Sequence, residues 1–70
     1  MEDTLRDLRL RTGKTAAEVA AQLKIARSTY SNYEQGTRTI DIHYIIPLAE
    51  LLECTEREVI AAQIKSQNAR

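Results

Sequence analysis

A chain of 70 residues, 43% hydrophobic and 29% charged, is long enough for one small globular domain and too short to divide its core between two. Ten basic side chains balance ten acidic ones, so no overall charge excess draws it to nucleic acid or to a membrane surface. The single cysteine, Cys54, excludes an intramolecular disulfide and no apolar run approaches the roughly 18 residues of a membrane span; with no signal-peptide pattern, the expected location is the cytoplasm.

The chain has no Phe or Trp, so Leu, Ile, Val, Ala and three Tyr must build the core. That composition suits crossing helices, and an all-α fold of five helices is expected. The first is predicted from about Thr4 to Arg11, with Leu5 and Leu8 on one face and Gly13 available for the left-handed residue after its end. Thr15 and Glu18 stand three residues apart as a capping box, which fixes the start of the second helix; Val19, Ala20 and Leu23 then share a face. Lys24, Ile25 and Ala26 make a turn. The third helix is predicted from about Arg27 to Gln35, with Tyr30 and Tyr33 inward and Gly36 closing it.

Asp41 is the expected cap of a fourth helix reaching Leu52, with Ile42, Ile45, Ile46, Ala49 and Leu52 as its apolar face. Pro47 lies within this span, which predicts either a kink or a start delayed to the proline. A second capping box, Thr55 with Glu58, opens the fifth helix, whose expected apolar face is Val59, Ile60 and Ile64. Residues 1–65 are thus expected to form the domain, and residues 66–70 a polar, fraying tail.

The span from Thr15 to Gly36 carries the functional signal. A helix that only covers a core shows long charged residues to water. The third helix instead offers Arg27, Ser28, Ser31 and Asn32, types suited to reading base edges in a DNA groove. An arginine donates two hydrogen bonds to guanine, and an asparagine amide matches adenine; Asn32 falls one turn beyond Ser28 on the same face. Thr29 and Ser31 are of a size to touch phosphate or a thymine methyl. Charge is distributed accordingly: residues 1–38 hold seven basic and five acidic side chains, residues 39–70 three and five. No paired carboxylates, nucleophile with a base, or phosphate-cradling glycine loop is present, so no catalytic residues are expected. His43 stands without a second soft ligand, and neither a metal nor another cofactor is expected.

From about Leu5 to Val59 the sequence resembles the helix-turn-helix family of phage repressors of the Cro and lambda-repressor type, the XRE-like regulators. The shared signs are Gly13, Thr15, Glu18-Val19-Ala20, Leu23, Ile25, Ser28 to Tyr30, Glu34 with Gly36, and Leu48-Ala49 with Leu52. The resemblance implies a compact five-helix bundle, lambda-repressor-like, whose third helix enters the major groove of double-stranded operator DNA as a homodimer. It implies base contacts at Arg27 and Ser28 and phosphate contacts at Lys14, Gln35 and Arg38. It also implies a partly buried, structural ion pair between Arg9 and Glu34.

The sequence departs from this pattern at Ala16, where the family often has a glutamine that reaches phosphate. Lys24 replaces the usual turn glycine, and Ala26 the usual Ser or Thr cap. The expected function is a transcriptional regulator, a repressor, dimerising through the fourth and fifth helices and the loop before them. Two alternatives remain at this point. One is a protein-interaction module on the same scaffold, an antitoxin or antirepressor partner. The other is the DNA-binding end of a longer regulator.

Overall fold

The computed structural model describes residues 3–68. Their regular structure is α1 (Leu5–Thr12), α2 (Ala16–Leu23), α3 (Arg27–Gln35), α4 (Ile42–Leu51) and α5 (Glu56–Asn68). Three helices begin at a threonine that accepts from the backbone three residues on, while the carboxylate there accepts from the threonine amide: Thr4 with Asp7, Thr15 with Glu18 and Thr55 with Glu58. The first of these boxes uses Asp rather than Glu, and the sequence reading did not single it out. At α4 the Asp41 carboxylate accepts from the His43 amide at 2.8 Å. Ala26 opens α3 with no side-chain cap.

Four chain reversals place a residue in the left-handed region just past a helix: Gly13 (φ 76°), Lys24 (59°), Gly36 (78°) and Glu53 (55°). At α2, α3 and α4 the residue after the reversal donates back five positions, Ile25 to Ala20, Thr37 to Asn32 and Cys54 to Ala49, each at 3.0 Å. Lys24 therefore keeps the turn geometry that glycine serves more easily.

The core joins Leu5 and Leu8 of α1 to Val19, Ala20 and Leu23 of α2, Tyr30 and Tyr33 of α3, and Ile40 in the connecting loop. Leu48, Ala49 and Leu52 enter from α4, and Val59 and Ala62 from α5. Leu5, Val19, Leu48 and Val59 are fully buried, each contributing about 1.5–3 kcal/mol by removal from water. The Tyr30 and Tyr33 rings meet edge to face with centroids 6.4 Å apart. α3 packs on α2, α1 and α5, and α5 also supports α1 and α4.

Several expectations are corrected. α4 begins at Ile42 and runs through Pro47, so its start is not delayed. The proline removes one N–H, and the carbonyl it would have met belongs to the exposed His43, where water can satisfy it. Ile42 and Ile46 are exposed, at 80% and 59%, and the buried stripe is Leu48, Ala49 and Leu52 with Ile45 alongside. α4 is apolar around most of its circumference, so periodicity alone does not select the inward face.

In α5 the expected Ile60 and Ile64 are exposed, and the inward stripe is Val59, Ala62, Gln63 and Ser66. The two polar residues are inside because they complete backbone hydrogen bonds. Ser66 Oγ accepts from the Leu5 amide at 3.3 Å, and Gln63 Oε1 accepts from the Ile40 amide. Residues 66–68 of the expected tail are the last residues of α5, and residues 69–70 lie outside the described residues. Cys54 is half-buried against the core, where burial pushes its thiol up from the ordinary value.

Candidate nucleic-acid interface

Helical geometry turns successive side chains by about 100°, so the two buried tyrosines fix which way every other residue of α3 points. Tyr30 and Tyr33 face the core, which sets Ser28 and Gln35 opposite, with Ser31 and Asn32 flanking them. Arg27, Ser28 and Gln35 are exposed; Thr29, Ser31 and Asn32 are half-buried. Among the described residues, none of the side chains of Arg27, Ser28, Ser31, Asn32 and Gln35 is engaged in a hydrogen bond or ion pair. Their polar groups are open to solvent or to a ligand.

A two-point bond holds α3 at a set angle to α1. Arg9 Nε donates to Glu34 Oε2 at 2.5 Å and Nη2 to Oε1 at 3.3 Å, while Nη1 donates to the Lys14 carbonyl at 2.9 Å. Both side chains are only 12% exposed. The forked guanidinium matches the carboxylate plane, and the third bond ties the α1–α2 connection to the same group. Hydrogen bonding to Glu34 raises Arg9 above its ordinary value. The buried Tyr30 hydroxyl lies beside this pair without completing a hydrogen bond to any described residue, and burial, reinforced by the Glu34 carboxylate, pushes the phenol well above its usual value.

Two open clefts border the outward face of α3. On the α1 side a cleft of about 300 Å³ is lined by Arg6, Arg9, Ser31, Glu34 and Gln35. On the other side a cleft of about 410 Å³ runs between Ala26 and Thr29 and the loop residues Arg38 and Thr39, with Tyr44 at its wall. Thr29 thus faces the Arg38 side of the helix, away from Ser31.

The basic residues divide into two groups. Arg9 is neutralised by Glu34, Arg11 contacts Asp3, and Lys14 Nζ lies 3.7 Å from Glu53 Oε2. Arg6, Lys24, Arg27 and Arg38 are exposed and form no ion pair among the described residues, as is also true of Arg57 and Lys65 on α5. The first four belong to α1, the α2–α3 turn, the start of α3 and the loop that follows it. The ammonium of Lys14, the residue expected to face phosphate, is directed to Glu53 in the α4–α5 turn.

Arg6, which lines the α1-side cleft with Ser31 and Gln35, was not among the contact residues expected from the sequence. Its signal was present, since it precedes Arg9 by three positions and therefore stands on the same side of α1 that the ion pair holds against α3.

A family model described as a helix-turn-helix domain matches residues 3–62. Comparison with curated proteins and with solved structures gave no significant match. Among the described residues, no helix is long and apolar enough to cross a membrane.

Proposed function

The chain belongs to the helix-turn-helix domain family, and from that premise we propose that it is a sequence-specific regulator, a repressor, that binds double-stranded operator DNA with α3 in the major groove. The observation that carries this reading is the placement of four of the six exposed, unpaired cations among the described residues, the other two, Arg57 and Lys65, lying on α5. Although the chain is neutral overall, Arg6, Lys24, Arg27 and Arg38 surround the short polar face of α3. A local positive field is what a phosphate backbone selects, and net charge does not register it.

In this reading Arg27 and Asn32 contact bases, Arg27 forked to guanine and Asn32 to adenine, with Ser28 and Ser31 lining the same edge. Arg38, Gln35 and Thr29 contact phosphate and set the register, and Arg6 joins them from α1. Lys14 reaches phosphate only by leaving Glu53. Arg9 and Glu34 touch no DNA and hold the angle between α1 and α3. The protein acts in the cytoplasm without a cofactor or a catalytic step.

Two copies on a two-fold symmetric operator would place α3 in successive major grooves, roughly 34 Å apart. Ile42 and Ile46 on α4 and Ile60 and Ile64 on α5 supply exposed apolar surface for such a homodimer. The same surface favours the second reading, in which these helices receive a regulatory protein partner.

Titration of a labelled random-sequence duplex at several salt concentrations tests the first reading. Binding should weaken linearly on a log–log scale, and Arg38→Ala should lower the slope by about 1. Absence of binding at low salt would favour the protein-partner reading.

A further inference from the structure

The loop between α3 and α4 is held from both sides, on one by the end of α3 and on the other by α5. The Thr37 amide and hydroxyl both donate to the Asn32 carbonyl, at 3.0 and 3.3 Å, which pins the loop to the end of α3. Gly36 abuts α5 so closely that a Cβ built there would stand 2.5 Å from the Ser66 carbonyl oxygen and 2.8 Å from the Gln67 nitrogen. Gln67 Nε2 donates to Thr39 Oγ1 at 3.3 Å, and the buried Gln63 carbonyl accepts from the Ile40 amide. Arg38 is therefore an exposed residue whose neighbours on both sides are fastened, one to α3 and the other to α5.

We infer that Gln63 and Gln67 of α5 are positioning residues for Arg38, fixing the loop backbone so that its guanidinium meets a phosphate at a set distance from α3. The inference rests on the DNA-binding reading and adds to it a role for the last turns of α5. A loop of six residues left unfastened would sample many backbone states, and ordering it on contact would consume part of the binding energy. Fastening it in advance removes that loss. Gln63 satisfies an otherwise buried amide, whereas Gln67, half-buried, bonds a threonine hydroxyl that water could serve equally well. The second bond therefore orders the loop without being needed for folding.

The test is a double-mutant cycle on a random-sequence duplex, with parent, Arg38→Ala, Gln67→Ala, Gln63→Met and each glutamine variant combined with Arg38→Ala. In the parent, Arg38→Ala should weaken binding about tenfold and lower the salt slope by about 1. In either glutamine background the same substitution should weaken binding less than about threefold and hardly change the slope, because the guanidinium no longer waits at its phosphate. Gln67→Ala should leave the urea midpoint near that of the parent, so the cycle remains readable if Gln63→Met fails to fold. Equal, additive losses from Arg38→Ala in the parent and in Gln67→Ala would overturn the inference while leaving the DNA reading intact. Failure of the parent to bind any duplex would remove the reading and the inference together.

Discussion

Gly36 and Ser66 are in backbone contact: no side chain fits between them, since a methyl group on Gly36 would lie 2.5 Å from the Ser66 carbonyl oxygen. Gly36 also has φ of 78°, so two separate constraints act at one position. Gly13 has nearly the same φ, 76°, with nothing within 4 Å of a built Cβ. Gly13→Ala should therefore cost about 1 kcal/mol from backbone strain alone, and Gly36→Ala about 3 kcal/mol or more. Urea unfolding of the two variants measures the difference. Equal costs would mean that α5 does not press on the end of α3.

The forked bond from Arg9 to Glu34 predicts asymmetric substitution effects. Glu34→Ala leaves a guanidinium with little access to water, and should destabilise by about 2–3 kcal/mol. Arg9→Lys should recover only part of the loss, because an ammonium cannot serve both carboxylate oxygens and the Lys14 carbonyl in the same geometry. The double variant Arg9→Met with Glu34→Leu should be more stable than Glu34→Ala alone. Thermal unfolding of the set checks the order.

Tyr30 carries a buried hydroxyl that completes no hydrogen bond to a described residue. Tyr30→Phe removes that atom and keeps the ring, so its stability should equal the parent's or exceed it by up to about 1 kcal/mol. Tyr30→Ala should cost about 3–5 kcal/mol through the cavity it opens. DNA affinity of Tyr30→Phe should be unchanged, because the ring faces the core. A clear loss of stability in Tyr30→Phe would show that the hydroxyl has a partner in solution.

Acid should loosen the N-termini of α1 and α4. Hydrogen bonding to the Thr4 amide lowers Asp7 below the ordinary 3.8, and hydrogen bonding to the His43 amide lowers Asp41 likewise. A carboxyl with a lowered folded value contributes stability that is complete above its unfolded value and lost as pH falls through the folded one. Stability should thus decline below about pH 4, and Asp7→Asn with Asp41→Asn should flatten that decline. Urea midpoints across this range measure it, and an unchanged acid limb in the double variant would contradict the assignment.

Local chemistry made the first three helices legible. Thr15 with Glu18, the glycines at 13 and 36, and the tyrosines three apart each specify one conformation through short-range bonds or spacing, and α3 begins and ends where those signals place it. The inward faces of α4 and α5 were not legible. On α4 apolar residues point almost everywhere, and on α5 Gln63 and Ser66 are buried because the amides of Ile40 and Leu5, distant in sequence, require acceptors. The engagement of Lys14 with Glu53 likewise depends on how helices cross and not on any local pattern, whereas the approach of Arg6 to α3 follows from its spacing to Arg9 once that pair is placed.

The central claim is that the outward face of α3 reads duplex DNA, and selection of bound sequences from a randomised duplex pool tests it most directly. The parent should enrich a two-fold symmetric motif with half-sites about 10 base pairs apart, and Arg27→Ala should lose preference at one base pair of each half-site while keeping the rest. A pool from which the parent enriches no motif, or an unchanged motif from both Arg27→Ala and Asn32→Ala, would contradict the account.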